Sequence, residues 1–158
     1  MAVGFGALLA VARAAAGPLD DPDPAHQRPG LIDLGALPVP APPLTDGLPA
    51  EGREAVVFFV RPAGLPPLCE ALADADLDGE PDLVVVVAGP AAPCAADAGV
   101  VPDPQGRLAD AYGLRRPADA GAPVGYAVVD QAGRIRYRTL DPEVEDLLGE
   151  VDTILRAA

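Results

Sequence analysis

The C-terminal two thirds of the chain is organised by short apolar runs. Ala55-Val56-Val57-Phe58-Phe59-Val60, Leu83–Ala88 and Val124–Val129 are nearly continuous and rich in β-branched residues. A strand that is apolar at every position is buried on both faces. These three runs therefore predict central strands covered by helices on both sides. Between the first two, Pro67–Ala75 carries Leu68, Leu72 and Ala75 at helical spacing, with Glu70 in its first turn. Arg107–Tyr112 predicts a short helix stopped by Gly113. Arg134–Thr139 alternates, and pairs with the strand before it through the turn Asp130-Gln131-Ala132-Gly133. Glu143–Leu155 predicts a closing helix, with Asp141 as its cap and Pro142 at its first position. The order is β-α-β-(α)-β-β-α: a parallel pair joined by a crossover helix, then an antiparallel hairpin and a last helix, in an α/β class.

Upstream the pattern changes twice. Residues 1–17 begin with an apolar run, Ala2–Ala12, too short to span a bilayer and followed by small residues. This resembles the core of a signal or anchor segment, without the usual basic start. Residues 18–50 combine Pro18, Pro22, Pro24 and Pro29 with Asp20, Asp21 and Asp23, and carry a second cluster at Pro38, Pro40, Pro42 and Pro43. Proline at this density favours extended chain and reads as a stiff acidic spacer, with a short strand at Leu31–Leu34. The expected organisation is a signal- or anchor-like segment over 1–17, a linker over 18–50 and one folded domain over 51–158. The expected location is the cell envelope, exported or membrane-anchored, with the cytoplasm as the alternative.

Composition narrows the chemistry. The chain has no Lys, Ser, Asn or Trp, and its only His is His26 in the Pro-rich stretch. Serine nucleophiles, Schiff-base lysines and P-loop lysines are excluded, as is a His-dependent triad in the folded domain. No metal or cofactor is expected. The net charge of −13 repels phosphate backbones, so nucleic acid is not an expected partner.

Two cysteines remain. Cys69 lies at the start of the first predicted crossover helix, just past the C-terminal end of a central strand, where open α/β sheets place their sites. The positive end of a helix favours thiolate over thiol, and Arg61 adds charge if its loop folds back. Cys94 follows the second parallel strand, which puts both cysteines at the same edge of the sheet. A functional redox pair, a structural staple and two independent thiols are all open. Other clusters read more plainly. Arg134, Arg136 and Arg138 alternate and are expected on one exposed face, and Asp74–Glu80 reads as a solvated turn.

The segment Phe58-Phe59-Val60-Arg61-Pro62-Ala63-Gly64-Leu65-Pro66-Pro67-Leu68-Cys69 resembles the active-site loop of the alkyl hydroperoxide reductase and thiol-specific antioxidant (peroxiredoxin-like) family. Pro62 and Cys69 keep that loop's spacing, while Pro66 stands where the family has Thr. Asp103–Leu114 resembles the family's segment ending in Tyr-Gly-Val, and Val128–Tyr137 its strand-turn-strand ending. Thioredoxins carry Cys-x-x-Cys in the first window; here its first Cys is lost. The resemblance covers residues 54–156. It implies a thioredoxin-like three-layer sandwich with a central mixed sheet and an N-terminal extension. It also implies a thiol-based oxidoreductase in which Cys69 attacks a peroxide or a disulfide and Cys94 resolves it. Arg61, Pro62, Pro66 and Pro123 would line the substrate, Pro123 in the place of the thioredoxin cis-proline. The implied partners are a small oxidant or a protein thiol or disulfide; the apolar N-terminal segment, read by itself, adds a membrane tether. The departures from the motif also fit an inactive thioredoxin-fold binding or structural module of the envelope.

Overall fold

The computed structural model describes residues 30–31, 36–44, 48–94, 96–116, 121–146 and 148–157. In chain order its elements are β1 (Gly30–Leu31), β2 (Val39–Pro40), β3 (Ala55–Val60), α1 (Leu65–Ala73), β4 (Asp82–Val87), β5 (Ala98–Pro102), α2 (Arg107–Ala111), β6 (Gly125–Val129), β7 (Arg134–Leu140) and α3 (Leu148–Ala157). Short 3-10 turns occupy Pro62–Gly64 and Val144–Asp146.

All strands join one mixed sheet in the order β1–β7–β6–β3–β4–β5, with β2 also on β7. β3, β4 and β5 run parallel, in register Val57↔Val84 and Val84↔Gly99. β6 is antiparallel to both β3 and β7. β3 and β6 are buried along their whole length, as their unbroken apolar runs require. Val57, Phe59, Val84, Val86, Ala127 and Ile135 face one core, which α2 closes with Ala109 and the adjoining Tyr112 and Leu114. Val56, Phe58, Val85, Tyr126 and Val128 face the other, closed by Leu65, Leu68 and Leu72 of α1 and Val151 and Leu155 of α3. The result is a three-layer α/β sandwich.

Four features depart from the sequence pattern. First, part of the stretch read as a spacer belongs to the folded unit. β1 and β2 pair with β7, Leu44 is buried, and the Tyr112 hydroxyl donates to the Pro42 carbonyl at 3.1 Å. Proline is tolerated there because an edge strand needs only half of its backbone donors. The expectations for residues 1–29 and 32–35 lie outside the described residues. Among those described, no helix is long and apolar enough to cross a membrane.

Second, β5 is a strand that its Gly99 and Pro102 disguise. Gly99 packs closely on Leu48: a Cβ there would come within 2.5 Å of the Leu48 terminal methyl, which would have to turn aside. Third, the closing helix begins later than expected. The Asp141 carboxylate accepts the Glu143 N–H at 3.0 Å, but this starts a 3-10 turn, and α3 opens only at Leu148. Fourth, a bulge interrupts β7: Val128 pairs with Tyr137, yet Val129 pairs with Ile135. Ile135 and Tyr137 consequently enter opposite cores. Arg134 and Arg138 then fall on opposite faces rather than forming one stripe. Arg134 pairs with Asp130 at 3.0 Å, and the buried Arg138 donates to the Tyr112 carbonyl at 2.9 Å.

Candidate redox site

Strand β3 delivers the chain to the carboxyl edge of the parallel strands at Arg61. The 3-10 turn Pro62–Gly64 follows, and α1 opens at Leu65 with Pro66 and Pro67 in its first turn. A helix accepts proline there because its first N–H groups have no internal partner. The helix therefore begins two residues before the expected Pro67. Cys69 becomes its fifth residue, past the turn that carries the unpaired N–H groups. Leu65, Leu68, Cys69 and Leu72 recur at helical spacing and form the buried face. Cys69 is only 5% exposed.

Cys94 reaches it from the connection between β4 and β5. The two residues form a disulfide, with Cα atoms 5.3 Å apart. Cys94 is half-buried and packs against the same core. Parallel neighbours need a crossover, which is usually helical. The β3–β4 crossover has α1; the β4–β5 crossover has no helix among its described residues. The disulfide ties that helix-free segment to α1. A second contact supports it: Pro62 packs so closely on Gly89 that a Cβ there would lie 2.7 Å from the proline ring.

The other expected site residues divide. Arg61 directs its Nε to the Ala122 carbonyl at 2.9 Å, which brings it beside Pro123. Pro123 is buried. Among the described residues the cis peptide bonds are Leu37–Pro38 and Leu48–Pro49, so the Ala122–Pro123 bond is trans, unlike that of the thioredoxin proline. Pro62 and Pro66 are exposed at the mouth of the α1 turn.

Two buried carboxylates have roles beyond those expected from the sequence, which were none for Asp103 and only a helix cap for Asp141. Asp103, 6% exposed, stands just past β5 and accepts N–H groups of Arg107, Leu108 and Ala109 at 2.8–3.2 Å, which satisfies the start of α2. Asp141 lies on the Cys69 side of the sheet with Tyr126. Its Oδ2 and the Tyr126 hydroxyl are buried and have no hydrogen-bond partner. Burial pushes the Asp141 carboxyl above its ordinary range, assisted by Glu150, Glu143 and Glu145 and opposed by the Glu143 N–H. Burial likewise raises Tyr126, and holds Tyr112 at about 12. The sequence signal for Asp103 was present: an acidic residue four positions before Arg107, followed by Pro and Gly.

Among the described residues no cluster of three or more His, Cys, Asp or Glu side chains is placed to hold a metal ion. Comparison of the sequence with protein-family models finds no match, and comparison with curated proteins likewise finds none.

Proposed function

We propose that the chain is a thiol–disulfide oxidoreductase on a thioredoxin-like domain, with Cys69 and Cys94 as its redox pair. The observation that carries this reading is the position of the disulfide. It lies at the carboxyl edge of the parallel strands, where open α/β sheets hold their sites, with one sulfur on the crossover helix and the other in a half-exposed loop. The parallel β3–β4 pair, the β6–β7 hairpin and the final helix support the thioredoxin-like assignment. Disulfide exchange is favoured over peroxide reduction. A peroxidase needs donors aimed at the leaving oxygen. The family's Thr is Pro66 here, and Arg61 directs its Nε to a backbone carbonyl. Location in the envelope, through residues 1–17, suits the reading, because disulfides persist in oxidising compartments.

The test is the reduction potential of the disulfide, measured by equilibrating the full chain against glutathione and dithiothreitol redox buffers. An exchange enzyme places it between about −270 and −120 mV. A value below about −300 mV belongs to a structural bond and removes the proposal. A second reading, an inactive module with a disulfide staple, is favoured by two observations: the burial of Cys69, and the lack of a helix in the described part of the crossover that the bond ties down.

A further inference from the structure

We infer that the partner's attack falls on Cys94, not Cys69, and that the partner is a protein dithiol carried on an uncharged, apolar segment. This rests on the exchange reading above and reverses the roles expected of the two cysteines. Thiol–disulfide exchange needs a line of approach to the attacked sulfur. Cys69 is 5% exposed and belongs to the core stripe of α1, whereas Cys94 is half-buried in a loop.

The surroundings specify the partner. Residues 62–69, 88–94 and 96 flank the bond and contain no charged side chain, in a chain that is 22% charged. Pro66 and Pro67 on one side and Pro90–Pro93 on the other are exposed. The Pro62–Gly89 contact and the disulfide hold the two segments together. An exposed apolar surface held together in this way suits the docking of an apolar segment. Centred on a disulfide, it suits a cysteine flanked by apolar residues. The net charge of −13 disfavours an anionic thiol such as glutathione.

Atoms and electrons balance in two steps. A partner thiolate attacks Cys94 Sγ. The new S–S bond forms as the Cys69–Cys94 bond breaks, and the electron pair leaves on Cys69 Sγ, which takes a proton from solvent. The partner's second thiolate then attacks its own sulfur in the mixed disulfide and expels the Cys94 thiolate. The partner dithiol is oxidised to a disulfide, and the Cys69–Cys94 pair is reduced by two electrons.

The oxidised full chain is treated with a neutral apolar peptide carrying a single cysteine, the freed thiol is alkylated at once, and the adduct is mapped by mass spectrometry. The peptide is expected on Cys94 and the alkyl group on Cys69; the reverse assignment overturns the inference. In the reduced single variants, Cys69→Ala is expected to react with a thiopyridyl-activated form of the peptide at least about tenfold faster than Cys94→Ala. Equal rates overturn the choice of sulfur. Ala92→Glu is expected to lower the ratio of peptide to dithiothreitol reduction rates by about fivefold or more, and an unchanged ratio overturns the docking surface. The arms separate the two readings. A potential below about −300 mV with the adduct on Cys94 removes the exchange function alone, and an enzyme-like potential with the adduct on Cys69 removes this inference alone.

Discussion

Single side chains decide where the strap of residues 39–44 and helix α2 sit. The Tyr112 hydroxyl holds the strap through the Pro42 carbonyl, while its ring packs on Phe59 at 5.3 Å between centroids. Tyr112→Phe keeps the ring and removes the bond. The expected loss is about 1 kcal/mol by urea unfolding, with faster amide exchange confined to residues 39–44. Asp103 has a heavier role, because three backbone donors depend on one buried carboxylate. Asp103→Ala strands those donors, and a loss of about 2 kcal/mol is expected. The two contacts differ in legibility. The Asp103 bonds are local and leave a trace in the sequence, whereas the partner of Tyr112 stands 70 residues away and leaves none.

Elements show how the disulfide and the closing turn act. The bond closes a separation of 25 residues that includes the second half of α1, β4 and part of the crossover to β5. A loop of that length corresponds to about 3.5 kcal/mol of restricted unfolded-state entropy. Cys94→Ser is expected to lower stability by about that amount, with exchange protection lost first over residues 88–97. The turn after β7 behaves differently. Asp141 has a raised pKa in the folded state, so folding favours its protonated form. Its contribution is present in full below the ordinary carboxylate value and is lost as pH rises through the raised value. Glu54, raised chiefly by burial, acts in the same sense. Asp110 and Asp130 act on the other side. Arg116 lowers Asp110; burial alone would raise Asp130, but the bonds from Arg134 and Ala132 outweigh it. Their contributions are present above the ordinary value and vanish only as pH falls through the lowered ones. The unfolding free energy is therefore expected to decline from about pH 4 toward neutrality. Asp141→Asn should flatten part of that slope and be at least as stable as the parent at neutral pH, as read from urea midpoints across pH. An unaltered slope would exclude Asp141 as its source.

For the molecule as a whole, charge acts through no single contact. Eleven basic residues face 24 acidic ones, and several of the arginines are committed to local pairs: Arg53 with Asp82, Arg116 with Asp110, Arg134 with Asp130 and Arg156 with Asp152. The excess carboxylates repel one another over the compact surface. Raising ionic strength from about 0.02 to 0.5 M shortens the screening length from about 20 Å to a few ångströms. The melting temperature is expected to rise by about 2–4 °C, as calorimetry can measure. A fall would mean that the local ion pairs outweigh the general repulsion.

What local chemistry can encode was legible before folding: strands apolar on both faces at Ala55–Val60 and over Val124–Val129, of which Gly125–Val129 forms β6, the hairpin turn at Asp130–Gly133, and the stop at Gly113, whose φ of 75° suits glycine. These follow from side-chain periodicity and backbone sterics over a few residues. The pairing of 30–31 and 39–40 with β7, the strand hidden in Ala98–Pro102, and the burial of Cys69 were set instead by contacts between distant segments. A proline-rich stretch becomes an edge strand only when a sheet edge is there to receive it. A cysteine on a helix has a reactive or a buried face only once the helix has a core to turn toward.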